Sequence, residues 1–426
     1  MATSAAAVPT AVAEKGARRA CIRLCAAAFL AYGSYAICRT PLLPLLARDL
    51  GADLRLVGVI VGASTVTGIV LKLPSGALSD VLGRRPLLVA GALVFAVTPF
   101  TYLGVSTLAA LIVVRVIHGS ATAIFGPVAS AHISDLAPPM RRGAWLSTYS
   151  TIQGVGQALG PIVAGYLIAG GRFDVAFAVA GGAAIAVPFI VSGGATGGGR
   201  RASASPVHRW TQFAGGVVEV SRHRLILVTS GAQAGQFVLN GALNAFLPLY
   251  GREVLGFTSS QLGWLFGVQT MTTLASRSIM GTMSDRIGRR GMIVGGLSLC
   301  SGAVALVPQA TGLGSLMAVI LVYAVGVAVS TAATSAFITD LTRRARYGAA
   351  HGIFGTIYDV GDALGPIAAG LLVASLGYAR MFHVGGRRRR HGHDHVLAAD
   401  RAVPRSRGLT WPVASRTILL CSARSG

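Results

Sequence analysis

Long apolar stretches recur along this chain, each closed by a short polar interruption. They run near residues 21–46, 57–79, 87–106, 108–133, 144–169 and 173–193, and resume near 224–250, 262–283, 291–309, 314–339 and 349–376. A helix rises 1.5 Å per residue, so about 20 apolar residues cross a hydrocarbon core ~30 Å thick. The pattern therefore predicts eleven membrane-spanning helices. The stretch 194–222 is rich in Gly, Ser and Arg and reads as a linker. Five segments follow: an N-terminal arm (1–20), a six-helix bundle (21–193), the linker (194–222), a second bundle of five helices and the start of a sixth (223–386), and a basic tail (387–426).

Composition supports that reading. Hydrophobic residues make up 53% and charged residues 12%, with a mean hydropathy of +0.65; a soluble chain carries roughly twice that charged fraction. The net charge of +23 does not point to nucleic acid, because the basic residues fall in clusters between apolar spans. Those clusters are Lys15 to Arg19, Arg84/Arg85, Arg141/Arg142, Arg200/Arg201 with Arg209, Arg286/Arg289/Arg290 and Arg343/Arg344/Arg346, all on one side of the predicted topology. The positive-inside rule then puts the N-terminus in the cytoplasm of a multi-pass protein of the cell's inner membrane. The opposite loops are nearly neutral, with Arg48 offset by Asp49 and Arg252 by Glu253. The apolar stretch after Arg19 is too long for a signal-peptide core. Five scattered cysteines, without a CxxC, support neither a disulfide framework nor a metal site, and no cofactor is expected.

The two bundles are copies. Gly76-Ala-Leu-Ser-Asp80-Val-Leu-Gly83-Arg84-Arg85 returns as Gly281-Thr-Met-Ser-Asp285-Arg-Ile-Gly288-Arg289-Arg290. Ser130 to Leu136 returns as Ser335 to Leu341, and Ala158-Leu-Gly160-Pro161 to Gly165 returns as Ala363-Leu-Gly365-Pro366 to Gly370, always 205 residues later. Parallel halves related by an axis along the membrane normal are a transporter architecture.

These residues carry a family resemblance. The two Gly-x-x-Ser-Asp-x-x-Gly-Arg-Arg segments resemble the signature loop of the major facilitator superfamily. Arg115-x-x-x-Gly119 is similar to its second motif. Gly156-x-x-x-Gly160-Pro161-x-x-x-Gly165 resembles the motif of its proton-coupled drug exporters. Two departures stand out: Val81 replaces a basic residue that Arg286 keeps, and the glycine expected after Gly165 is absent. The resemblance spans about residues 20–386 and implies an all-α fold of two pseudo-symmetric six-helix bundles, working by alternating access.

It also implies roles. Asp80, Arg84 and Arg85, with Asp285, Arg289 and Arg290, would gate the cytoplasmic side, Asp80 meeting a helix N-terminus of the other half or the loop's own arginines. The arginines' plainer reading is topology alone. Gly76 would let two helices approach. Gly156, Gly160, Pro161 and Gly165, with Gly365 and Pro366, would bend and pack helices at the contact between halves, although ordinary membrane packing explains the glycines too.

Ionisable groups within the spans are functional candidates by default. Arg115 and His118 share a helix face, as do Asp359 and Asp362, whose repeat counterparts are Gly154 and Gln157. One aspartate is expected to carry a proton, the alternative being a structural pair with Arg39 or Arg277; Arg115 is expected to form a pair. Lys72 reads as a snorkelling side chain, and His132 and Asp135 as a solvated helix end. Tyr35 and Arg39 in the first helix, and Gln233, Gln236, Asn240 and Asn244 in the seventh, suit a cavity for a hydroxyl- or amide-bearing solute, or else interhelical hydrogen bonds.

The repeat fails at residue 387. The apolar Gly182 to Ile185 meet Arg387 to Arg390, and no membrane-length run follows. A coding frameshift is the preferred reading, beside a His-rich metal-binding tail and a true eleven-helix variant. The sequence thus predicts a monomeric transporter in the lipid bilayer, not an enzyme, that exchanges protons for a small organic solute such as a drug or sugar. Uptake by symport and a non-transporting product are the alternatives.

Overall fold

The computed structural model describes residues 11–193, 223–342 and 347–387. Every regular element among them is helical. The first half holds α1 (Ala11–Ile37), α2 (Leu42–Asp49), α3 (Leu54–Leu82), α4 (Arg84–Thr101), α5 (Leu108–Leu136), α6 (Arg142–Leu167) and α7 (Phe173–Ser192). The second holds α8 (Arg224–Glu253), α9 (Ser259–Ile287), α10 (Arg289–Leu306), α11 (Leu313–Leu341) and α12 (Tyr347–Arg387). The predicted first span is two helices, α1 and α2, because Pro41 at their junction lacks the N–H that would continue α1. The α12 helix also breaks, at Gly377, whose φ of 79° lies in the left-handed region. Its last stretch, 378–387, continues beyond that break; the residues 388–426 and 194–222, read from sequence as a basic tail and a linker, lie outside the described residues.

Side chains at the polar ends fix where helices start. Asp53 accepts from Leu56 N at 2.7 Å to cap α3, and Thr107 accepts from Ala110 N at 3.2 Å to cap α5. Thr258 and Gln261 form a reciprocal capping box on α9. Each satisfies backbone donors that lipid could not.

Three helices are more polar than the rest. Eight helical segments among the described residues are long and apolar enough to cross a membrane, and α6, α8 and α9 are not among them. These three contribute Gln157, Gln236, Asn240, Gln269 and Arg277 to a central cavity. Their polarity is therefore directed inward, and their lengths of 26, 30 and 29 residues suffice to span.

The halves meet through α3 against α12 and α6 against α9, at points where glycine allows backbone contact. A Cβ on Gly58 would lie 2.3 Å from the Pro366 carbonyl oxygen, and one on Gly263 would lie 2.5 Å from that of Pro161. Gly58 and Gly263 are repeat equivalents, as are Pro161 and Pro366, so the two interfaces are copies of each other. One continuous apolar core joins both halves at the end away from the basic loops, taking in Leu43, Ile60, Leu247, Phe266 and Phe382. At the basic-loop end, the apolar clusters divide between the halves. The molecule is closed at one end and open at the other.

Candidate functional site

Between the halves lies a cavity of about 770 Å³, within the range of sites that hold small organic molecules. Tyr35, Arg39, Gln236, Asn240 and Asn244 line it, together with Lys72, Arg277, Asp359 and Asp362. Gln233, expected on this surface, is not on it. Its amide donates to Gln236 Oε1 at 2.9 Å and Thr331 Oγ1 at 3.2 Å, and with only 1% of the residue exposed these bonds hold it behind the cavity wall.

Cations from the first half meet carboxylates from the second. Asp362 Oδ2 accepts from Arg39 Nη2 at 3.1 Å and from Thr65 Oγ1 at 3.3 Å, while Oδ1 accepts from Asn240 Nδ2 at 3.2 Å. Asp359 pairs with Lys72. Asp359 and Asp362 are only 6% and 8% exposed, and burying a carboxylate is costly unless it is paired. Lys72 therefore does not snorkel. It spans the interface from α3 to α12, 5.9 Å from the centre of the Tyr358 ring.

Behind the cavity wall, Arg115 is fully buried. Its Nη2 donates to Ser64 Oγ at 2.5 Å and its Nη1 to Tyr102 OH at 3.4 Å, with the guanidinium over the Tyr35 ring. His118 Nδ1 lies 3.3 Å from Tyr102 OH, and its ring stands edge-on to Tyr35. Arg115 was expected to form a pair; among the described residues it has hydroxyl partners and no ion pair. Ser64 and its neighbour Thr65 connect this cluster to Asp362, so the candidate residues occupy two adjoining layers joined by α3.

At the basic-loop end, the signature segments are helix termini rather than extended loops. Gly83 and Gly288 alone separate the helices, at φ values of 92° and 102° that exclude a larger residue without strain. Arg289 Nε donates to Asp340 Oδ2 at 3.0 Å, and Arg289 also pairs with Asp285 at 2.5 Å. Arg84 Nε donates to Asp135 Oδ2 at 3.2 Å, and Arg84 also bonds Ser79. Asp135, read from sequence as a solvated end, is thus tied to the signature segment of its own half. Arg85 Nη2 donates to the Ser192 carbonyl at 2.5 Å, and Arg290 lies over the Phe337 ring. The Asp80 side chain lies outside the described residues.

A model of the Major Facilitator Superfamily matches residues 24–262 and 229–386. The chain belongs to the Major Facilitator Superfamily. An MFS-type transporter of Methanocaldococcus jannaschii is 25% identical over 346 residues, covering 80% of this chain and 88% of that one. The Multidrug resistance protein MdtH of Aeromonas hydrophila subsp. hydrophila is 22% identical over 329 residues, covering 76% and 80%. Among solved structures, a bacterial homolog of the human lysosomal transporter Spinster, inward-facing and unoccupied, superposes with a TM-score of 0.71 at 14% identity, covering 92% and 96%. The chain is a membrane transporter of this superfamily and not an enzyme.

In this superfamily member, the exporter-like motif divides its work between two partners. Cβ atoms on Gly156 and Gly160 would meet Phe29 O at 2.5 Å and Ala36 Cβ at 2.4 Å, both on α1 of the same half. Gly165 instead faces Ser259 O on α9, across the interface. The second copy repeats this: Gly365 faces Val238 O on α8, and Gly370 faces Leu54 O on α3. Gly76 and Gly281 face open space, so the helix approach expected of Gly76 is not made in this conformation, where the basic-loop end is splayed.

The residues that sequence reasoning missed are Lys72, Ser64, Thr65 and Asp135. For Asp135 the signal was present, since its repeat counterpart Asp340 stands in the same relation to the second signature segment.

Proposed function

We propose that the chain is a proton-coupled exporter of small organic solutes that alternates access to one central cavity, acting as a monomer. The observation that carries the reading is the ion pair of buried Asp359 with half-buried Lys72, which joins α12 to α3 across the cavity. Asp362 accepts hydrogen bonds from Arg39, Thr65 and Asn240, which fix its carboxylate in place on the cavity wall. Asp359 has one charged partner to give up. Asp359 is therefore the proton carrier, and its protonation releases Lys72 and one tie between the halves. Asp362 and Arg39 are a positioning pair. A single proton moving across ~150 mV supplies ~3.5 kcal/mol, enough for a solute gradient of several hundredfold.

The multidrug-resistance relative and the Gly-Pro motif of α6 support export. The basic loops support an orientation with the N-terminus in the cytoplasm of the cell's inner membrane, so the conformation described here is open to the cytoplasm. Everted vesicles that carry the chain test this. Solute addition should release protons from acidified vesicles, and Asp359→Asn should abolish that release while solute counterflow continues. Full proton release by Asp359→Asn would remove Asp359 from the role. Solute-driven proton entry from the opposite face would make the protein a symporter.

A further inference from the structure

The charges of the cavity do not balance. Arg39, Lys72 and Arg277 line it with Asp359 and Asp362, and two of the three cations are neutralised by ion pairs. Arg277 has no hydrogen bond or ion pair among the described residues.

The duplication explains why. Lys72 on α3 and Arg277 on α9 are repeat equivalents, so each half presents a cation at the same depth. Lys72 crosses the interface to Asp359 on α12. The equivalent interface is α9 against α6, and there the counterpart of Asp359 is Gly154. Gly154 does face α9: a Cβ on it would lie 3.1 Å from Leu274 Cδ1, one helical turn from Arg277. The position that would hold the counter-ion of Arg277 therefore has no side chain. Gln153 and Gln157 flank it on the cavity wall, and the stacked rings of Phe237 and Tyr358 stand in the same cavity, 4.5 Å apart. A second cation, Arg115, lies behind Ser64 and has no carboxylate partner among the described residues. Uncompensated charge in a cavity with low-dielectric walls attracts counter-ions strongly.

We infer that the solute carries an anionic group, and that Arg277 binds it in the space beside Gly154 where the other half supplies its own carboxylate. The solute class is an organic anion with an apolar or aromatic body, its carboxylate or sulfonate held by the Arg277 guanidinium and the neighbouring amides. The aromatic pair supplies the surface for the body. The inference rests on the transport reading only in taking this cavity as the solute site.

Calorimetry on the full chain in phosphatidylcholine nanodiscs, with no ion gradient, tests it using 1-naphthoate and its neutral counterpart 1-naphthamide. Naphthoate should bind at least tenfold more tightly. Arg277→Gln should weaken naphthoate by roughly tenfold to a hundredfold and leave naphthamide unchanged. Arg277→Lys should keep part of the preference. Gly154→Asp, which supplies the missing counter-ion at the cost of shifting the flexible end of Leu274, should match Arg277→Gln. Equal affinity for the two probes, binding of neither, or an Arg277→Gln chain that still prefers naphthoate would overturn the inference. Repeating the titration with phosphatidylglycerol in the disc separates the sources of the anion: an unchanged affinity supports a soluble solute, and a tenfold loss assigns the site to a lipid headgroup and overturns it. A chain that prefers naphthoate but moves no protons would sink the coupling proposal alone.

Discussion

Arg48 of the first half donates from Nε to Glu253 Oε1 of the second at 3.0 Å, and their repeat partners return the contact, Arg252 Nη1 to Asp49 Oδ1 at 3.2 Å. Sequence suggested that each arginine neutralises its own neighbour. The pairs instead cross the pseudo-twofold axis and lie over the closed end of the cavity, with Tyr378 OH donating to the second oxygen of Glu253 at 2.8 Å.

The crossed pairs should set the balance between conformations rather than the stability of the fold. The four side chains are about one-third to one-half exposed, with values of 35% and 32% for Arg48 and Glu253, so each pair contributes only about 0–1 kcal/mol. That still shifts a two-state equilibrium several-fold. Glu253→Gln with Asp49→Asn should raise accessibility at the Arg48 end, read by spin-label distances between α2 and α8, with little change in melting temperature. The charge-swapped double variant Arg48→Glu with Glu253→Arg should restore the closed population. An unchanged distance distribution in the neutralised variant would show that the crossed pairs do not hold this end.

Much of the architecture was legible because apolar span length and the 205-residue repeat are one-dimensional properties. Helices at the apolar spans and the equivalence of the signature segments follow from them. Partner identity is not one-dimensional. Whether Arg48 meets Asp49 or Glu253, and whether Lys72 meets lipid headgroups or Asp359, depends on how α2 faces α8 and how α3 crosses α12. The break at Pro41 was hidden by the apolar residues that continue through it. The repeat carried more than the motifs alone, since it also marked Asp135 with Asp340, and Lys72 with Arg277.

Close approach between the halves predicts a sharp contrast between two glycines of α3. Gly58→Ala places a methyl 2.3 Å from the Pro366 carbonyl oxygen, whereas Gly76→Ala meets nothing within 4 Å. Overpacking against backbone costs about 1–3 kcal/mol. Gly58→Ala should therefore melt several degrees lower in detergent, and Gly76→Ala should match the parent or exceed it through higher helix propensity. Gly263→Ala should copy Gly58→Ala, since it meets Pro161 in the same way.

Gly76 has a different cost in the transport cycle. If the basic-loop end closes by bringing α3 towards α12, a large side chain at position 76 obstructs that closure without touching the conformation described here. Gly76→Leu should bind solute with parental affinity and fail to transport it. Retained transport would mean that α3 does not approach its neighbour at this level.

Arg289 joins three helix ends: it starts α10, pairs with Asp285 on α9 and donates to Asp340 on α11. Its Nη1 also donates to Ser284 Oγ at 2.5 Å. A guanidinium can serve these acceptors together through its planar fork, and an ammonium on a flexible stem cannot hold the same geometry. Arg289→Lys should therefore behave nearly as Arg289→Ala does, although the charge is kept. Both should loosen the contact between the ends of α9 and α11, seen as faster hydrogen exchange in the last turns of those helices. Asp340→Asn should produce a smaller effect, because the contact to Asp285 survives. If Arg289→Lys exchanges at the parental rate, the side chain serves only as a positive charge at the membrane surface, and the fork has no structural function.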